Sequence, residues 1–344
     1  MDVWTGTATD YERTQDALLQ SGITDGLPVI PPTAERVDRM LAAAGCDPDG
    51  RLGVVAPMFV EATWRDAAIN AVMAGCTPAC LPVVGAAVSA MAASEFNMLG
   101  ITTTTGSACP IIIVNGPIVE KAGLNSGANA LGPGNRANAT IGRAISLILR
   151  NVAGAKPGEI DMATLGQPGK YTFCFAENEA LNPWEPLHVE RGFERGQSVV
   201  TVVGVSGNTE IVDGVSVTAA DLAQTLAASM LAAGNISSSG TVGGGEPVLV
   251  LPPEHADMFH REGCTKLDAK KLIFDRARLP LDWLSVAMRE KLARPDADHP
   301  ESFLQVAEKP ENIIIVVAGG VGRKAACIPS WSGSTQAVSQ VISG

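Results

Sequence analysis

The chain has 344 residues, of which 46% are hydrophobic, 18% charged and 4% aromatic, with a net charge of −11. That apolar content excludes a disordered chain, and the acidity argues against nucleic acid or an anionic membrane as the main partner, because phosphate binding needs a basic field. The length suits two α/β domains or one large one, and 36 Gly with 22 Pro make the chain rich in turns.

In chain order, Met1-Asp2-Val3-Trp4-Thr5-Gly6 carries neither the basic nor the apolar stretch of a signal peptide. Residues 1–50 read as a Pro-rich arm, with helices over 11–21 and 33–44 around the extended segment Gly26-Leu27-Pro28-Val29-Ile30-Pro31-Pro32. Residues 51–195 read as a first α/β lobe. Its expected elements are helices 61–75 and 83–93, strands 101–105 and 111–115, helix 135–151 and strand 171–176. No charge lies between Asp66 and Glu95, a run long enough to span a bilayer, but Thr77-Pro78-Ala79-Cys80-Leu81-Pro82 cuts it. Two buried helices meeting at a turn are expected there instead. Residues 196–344 read as a second lobe. It is expected to hold strands 198–205, 247–251 and 313–318, helices 218–233, 253–262, 267–277 and 281–292, and a terminal helix 334–342. The fold expected is α/β: two related lobes with mixed sheets and Ala/Gly-rich helices, plus the N-terminal arm.

The relation between the lobes rests on two capped helices. Thr63-Trp64-Arg65-Asp66 opens one that ends at Ala74-Gly75, and Thr218-Ala219-Ala220-Asp221 opens another that ends at Ala233-Gly234. Each is followed by an apolar strand entering a Pro/Gly loop. Such features recur in any α/β protein, but a true duplication would favour a site at the junction of the halves. The seven cysteines are scattered and contain no C-x-x-C pair, which points to a reducing cytoplasm. Cys76 and Cys80 flank Pro78 at a helix end, where a thiolate is disfavoured, and read as packing residues.

Three stretches carry candidate chemistry. Leu131-Gly132-Pro133-Gly134-Asn135-Arg136-Ala137-Asn138 leads into a helix whose free N–H groups suit an anion. Arg136 and Arg143 line one face of it, with Asn135 and Asn138 beside them. The alternative is a well-capped helix with a solvated basic stripe. Glu177 and Glu179 follow an apolar strand at strand spacing, so they point the same way, with His188 and Arg191 on a Pro-braced loop beyond. Two carboxylates and an imidazole can move protons or hold a cation. Asn115, at the end of another strand, is placed where α/β proteins bind ligands. Gly320-Val321-Gly322-Arg323-Lys324-Ala325 matches the letters of a dinucleotide motif, but the chain ends before the βαβ unit and acid that motif needs. Glu254-His255 and His260 resemble a metal helix only loosely, because residues five apart are about 140° apart around the axis.

The segments Asn70-Ala71-Val72-Met73-Ala74-Gly75-Cys76, Val114-Asn115-Gly116-Pro117, Leu131 to Thr140 and Trp184-Glu185-Pro186-Leu187-His188 together resemble bacterial proteins that accompany, or are fused to, the UGSC-motif (seleno)protein family. The resemblance covers most of residues 50–190 and continues more loosely to the end. It implies thiol- or selenol-based chemistry with this chain as one part of the machinery. Gly106-Ser107-Ala108-Cys109 is only a near miss to the motif, so the reactive thiol or selenol is expected on another subunit. The resulting expectation is a cytoplasmic, homo- or hetero-oligomeric subunit of a thiol-dependent reductase or lyase. It would act on a small polar or anionic organic substrate and bind neither nucleic acid nor membrane. Glu177, Glu179 and His188 would transfer protons. Asn115, Asn135, Arg136, Asn138, Arg143 and Arg191 would bind substrate, with no cofactor. Two rivals stand: a metal-assisted lyase or hydrolase with the metal on Glu177, Glu179 and His188, and a non-catalytic small-molecule binder.

Overall fold

The computed structural model describes residues 11–235, 245–292 and 303–343. Met1–Gly6, read above as lacking a signal peptide, lies outside these, with the rest of the first ten residues of the expected arm.

The arm comprises helices α1 (Tyr11–Gln20) and α2 (Ala34–Ala44). A hairpin follows, β1 (Arg51–Val55) and β2 (Val60–Thr63), then α3 (Trp64–Ala74), α4 (Leu81–Met91) and α5 (Met98–Thr103). Next come β3 (Cys109–Asn115), α6 (Ile118–Ala122), α7 (Arg136–Asn151), β4 (Cys174–Ala176), α8 (Leu187–Glu190) and β5 (Val199–Val205). The remainder holds β6 (Thr209–Val212), α9 (Ala219–Ser229), β7 (Val248–Leu251), α10 (Pro253–Arg261), α11 (Lys266–Phe274) and β8 (Arg278–Pro280). It ends with α12 (Val286–Leu292), β9 (Phe303–Gln305), β10 (Ile314–Val317), β11 (Lys324–Ile328) and β12 (Val338–Val341).

Two four-stranded mixed sheets organise the molecule. Read from equivalent edges, their orders are β12-β5-β3-β4 and β6-β11-β7-β10. In each, the first three strands pair antiparallel and the last pair is parallel. The two sheets therefore repeat one arrangement. They also exchange strands: β5 of the first sheet leads to β6 of the second, and β11 of the second leads to β12 of the first. At the crossing, Trp331 N donates to Gly204 O (2.9 Å) and Ser206 N to Pro329 O (2.8 Å). The sheets thus do not divide at the expected boundary 195/196. β5 pairs with β3 from before it, and β12 returns to the first sheet.

Alternation along the strands explains the layers. Ile111, Ile113, Phe175 and Val203 of the first sheet pack with Val248, Val250, Ile314 and Val316 of the second. Ile112, Val114, Val200 and Val202 turn the other way, onto α3, α4 and α7. Leu249, Leu251 and Ile315 turn outward onto the helices of the second half, including Leu222, Phe259 and Ile273. The result is four layers, helix–sheet–sheet–helix. Strands buried on both faces read as unbroken Ile/Val runs rather than alternating ones.

Two expected elements change type. Residues 101–105 were expected as a strand, but Met98–Thr103 is helical: Asn97 caps it by accepting from Gly100 N (3.1 Å). The hydroxyls of Thr102 and Thr103 bond back to Met98 O and Leu99 O (2.8 Å each), which makes the β-branched run compatible with a helix turn. The expected terminal helix 334–342 contains instead the strand β12, because the edge of β5 offers unpaired backbone groups that a short isolated helix cannot match. The remaining helices and strands fall where expected, within a few residues, α9 ending earlier at Ser229.

The charge-free run forms two buried helices, α3 and α4, joined at a Pro78 turn. Among the described residues no single helix is long and apolar enough to cross a membrane. Pro78–Met91 with Ser94–Thr103 passes that test only as a pair bent by 78°, and α4 is buried within the molecule.

Candidate functional site

The parallel strands β3 and β4 end side by side, and the polar residues lie just beyond them. Glu177 N donates to Val114 O (3.1 Å), extending the ladder by one step, and Asn178 N then reaches Val317 O at the end of β10 (2.7 Å). The carboxyl ends of the parallel pairs of both sheets are therefore tied together, the region of an α/β fold where ligands bind. Gly116 makes the turn at φ +84°, and a Cβ there would stand 2.2 Å from Gln197 O, so only glycine fits. Its N–H donates to Glu179 Oε1 (2.7 Å).

Asn115 joins the two carboxylates. Its Nδ2 donates to Glu177 Oε2 (2.7 Å) and to Glu179 Oε1 (3.1 Å). Glu177 also accepts from Leu187 N at Oε2 (2.7 Å) and from Asn182 Nδ2 at Oε1 (2.8 Å). Burial pushes the Glu177 carboxyl above the usual carboxylate range, opposed by Lys266 and these donors. His188 is fully buried, and its Nε2 lies 3.3 Å from Arg195 O. A carbonyl oxygen only accepts, so Nε2 carries the hydrogen. Nδ1 is then the acceptor nitrogen of the ring; it lies 3.9 Å from Glu179 Oε1 and has no hydrogen-bond partner. Asn115 Oδ1 is likewise buried without a partner. Asn115, Glu177, Glu179 and His188 thus converge, with two unsatisfied polar atoms among them.

The expected anion-binding residues lie apart from this cluster and are engaged in other contacts. Asn135 caps α7 through Asn138 N (2.9 Å). Asn138 is buried and bonds Asn125 and Ala130, bracing the loop before the helix. Arg136 Nε donates to Gly75 O (2.9 Å). Arg143 grips Asp25 of the arm with two bonds of 2.8 Å and adds Pro28 O (2.9 Å). Burial pushes the Asp25 carboxyl up, but Arg143 outweighs it and the group sits below its ordinary range. Arg191 holds the exchanged strand through Ser339 Oγ (2.7 Å) and Ala337 O (2.6 Å), with Glu246 at 3.9 Å.

Sequence reasoning missed a basic cluster next to Arg191. Lys266 and Lys270, both buried, converge on Glu190, Lys266 at 3.0 Å. Burial raises the Glu190 carboxyl, and the two ammonium groups more than reverse this. Burial draws the Lys270 ammonium down despite Glu190. A cavity of about 700 Å3 is lined by Leu187, Glu190, Arg191, Lys270 and Ser339. The only sequence signal was the i, i+4 spacing of the lysines, which usually marks a solvated face.

The Gly319–Gly322 loop leads from β10 into the antiparallel strand β11, so the dinucleotide context fails in space as well. Gly319 N donates to Ser126 O (2.9 Å), and a Cβ on Gly320 would meet Ala128 at 2.7 Å. Among the described residues, no group of three His, Cys, Asp or Glu is arranged to hold a metal. Comparison with protein-family models, curated proteins and solved structures gives no match.

Proposed function

We propose that the chain is a subunit of a thiol-dependent enzyme acting on a small polar or anionic organic molecule where the two sheets meet. The observation that carries this reading is the Glu179–His188 pair. Nδ1 of a buried imidazole faces a carboxylate and has no other partner, an arrangement suited to taking and returning one proton. Glu179 is held by Gly116 N and Asn115, so it stabilises the charged imidazolium when the proton arrives. Glu177 is a positioning residue that fixes Asn115 and the 182–187 loop. Asn115 Oδ1, buried without a partner, is the acceptor a donor on the substrate would satisfy once the site opens to it. Arg191 and Lys270, on the neighbouring cavity, supply positive charge for an acidic group of the substrate. The thiol or selenol partner follows from the resemblance noted above and completes a hetero-oligomer.

The test is a thermal-shift screen of small carboxylic acids and their amides on the full chain, with and without a low-molecular-weight thiol. A stabilising compound is then assayed for turnover. Glu179→Gln and His188→Gln are expected to cut turnover of that compound by about 100-fold or more, with Tm in its absence changed little. Unchanged turnover in both variants would overturn the proton-transfer reading. Binding without turnover in the unaltered chain would identify a binding subunit instead.

A further inference from the structure

A separate cavity of about 330 Å3 lies where β3 begins, between α5, α7 and the 155–171 loop. β3 runs for seven residues, Cys109–Asn115, so about 20 Å of strand separates this cavity from Asn115. The chain itself anchors the loop: Thr164 N donates to Thr105 O (2.9 Å), Ser107 Oγ to Gly166 O (3.1 Å) and Gln167 Nε2 to Ser107 O (3.2 Å). The cavity is therefore preformed, and its volume is at the small end for a ligand pocket. Ile101, Ala108 and Leu149 give it apolar walls. Leu165 and Tyr171 also line it, yet they are 93% and 51% exposed. Apolar side chains left in water at an apolar cavity are surface that an apolar ligand would cover. Four charged side chains line the cavity, and three of them are already matched. Asp25 is held by Arg143 with two bonds of 2.8 Å, and Asp161 pairs with Lys170 at 2.7 Å. The fourth is Arg150. Its Nε donates to Gly22 O (3.3 Å), and its two terminal nitrogens make no hydrogen bond or ion pair among the described residues. Ser146, one turn earlier on the same face of α7, lines the cavity with a hydroxyl that likewise bonds none of the described residues.

We infer that this cavity binds a small monocarboxylic acid whose body is a single apolar ring or a branched alkyl chain. The carboxylate takes the terminal nitrogens of Arg150, whose planar fork matches two oxygens, and the Ser146 hydroxyl adds a donor from the same helix face. The apolar body lies against Ile101, Leu149 and Leu165. The charge count sets the class of ligand. A dianion or a phosphate would meet one unmatched cation, with Asp25 and Asp161 on the same walls. A cation would find both carboxylates already paired. A neutral apolar molecule would cover a guanidinium without giving it an acceptor, at a desolvation cost. The inference concerns binding alone, and no bond is made or broken. It does not rest on the Glu179–His188 reading, because the two sites lie at opposite ends of β3.

The experiment titrates the full chain with phenylacetate and with phenylacetamide by calorimetry, and maps hydrogen exchange with and without the acid. Phenylacetate is expected to bind saturably, in roughly the millimolar range usual for a ligand of its size. The amide should bind at least ~10-fold more weakly, because it has no charge for Arg150. Exchange should slow over residues 143–151 and 155–171 and stay unchanged over 187–195. Arg150→Gln should weaken phenylacetate at least ~10-fold and Ser146→Ala about threefold. Ala163→Trp fills the cavity while leaving every charge in place, and should abolish binding. Arg191→Gln should leave it as it is. No saturable binding of phenylacetate, equal binding of acid and amide, or protection confined to 187–195 would overturn the inference. So would binding lost in Arg191→Gln but kept in Arg150→Gln, which would place the carboxylate at the Glu179–His188 end instead. The acid–amide comparison and the exchange map use the unaltered chain, so they decide the matter even if a variant fails to fold.

Discussion

The two sheets share one strand order, yet the carboxyl ends of their parallel pairs differ in chemistry. Beyond β3 and β4 stand Asn115, Glu177 and Glu179, joined by two hydrogen bonds (2.7 and 3.1 Å) and held by three more from Gly116, Asn182 and Leu187 (2.7–2.8 Å). Beyond β7 and β10 stand Pro252, Ala318, Gly319 and Gly320, which offer backbone alone. The second end borders a cavity of about 410 Å3 whose charged lining, Glu210 and Lys324, comes from β6 and β11 rather than from the ends of the parallel pair, while Gly319 and Gly320 pack against the 126–128 turn. A repeated scaffold has therefore kept its topology at both ends and placed ionisable groups at one. The sheet supplies position, and a few side chains past the last ladder bond decide what that position can do.

The sharpest way to break this asymmetry is to remove Glu177. Glu177→Ala strands three donors, from Asn115, Asn182 and Leu187, inside the protein, and should cost about 3 kcal/mol in urea unfolding. In the second half, Val321→Ala is the matching control on the Gly319–Gly322 loop; Val321 is 99% exposed, and the change should stay within about 0.5 kcal/mol. Glu177 also gives the first end a pH signature. Its folded carboxyl titrates above its unfolded value, so between the two the native state binds more protons. Stability should fall as pH rises through that window, and Glu177→Gln should remove that part of the slope of Tm against pH.

Arg143→Ala comes next in size. It removes both bonds to Asp25 and the one to Pro28 O, loosening an arm that α7 then holds only through Arg150 on Gly22 O and Asn151 on Ile23 O, at a cost of about 2 kcal/mol. Faster hydrogen exchange over residues 22–32, with α9 to α11 unaffected, would show the arm to be attached to the first half alone. Because the Asp25 carboxyl is held low, its contribution is complete above its ordinary value and is lost as pH falls through the lowered one. Acid should therefore release the arm even in the unaltered chain.

What could be seen in the sequence depended on how local its cause was. Strands β3, β5, β7 and β10 were legible because burial on both faces demands continuous Ile and Val. Asn115, Glu177, Glu179 and His188 were legible because strand ends and a Pro-braced loop announce themselves in a few residues. Arg143 resembled an anion ligand because its partner, Asp25, lies 118 residues away. The strand exchange and the meeting of Lys266 and Lys270 on Glu190 each depend on pairings that no short window contains. β12 is the plainest case: its backbone bonds go to β5, so its own propensity had little weight.

The smallest effect tests the likeness of the halves rather than their difference. Thr63 and Thr218 each cap an Ala-rich helix, accepting from Asp66 N at 3.3 Å and Asp221 N at 3.1 Å. Only Asp66 reaches back, accepting from Thr63 N at 3.0 Å to close a full capping box. Both acids also accept from the threonine hydroxyl, Asp66 at 2.8 Å and Asp221 at 2.7 Å. Thr63→Ala removes the cap of a helix whose next turns are wholly buried, and should cost about 1.5 kcal/mol. Thr218→Ala should cost about 0.5–1 kcal/mol, since the freed groups at its helix start reach solvent. Equal losses in urea unfolding would mean that burial of the turns after the cap adds nothing to its worth. A larger loss at Thr218 would mean that the second half, with its shorter helices, depends more on its caps than the first.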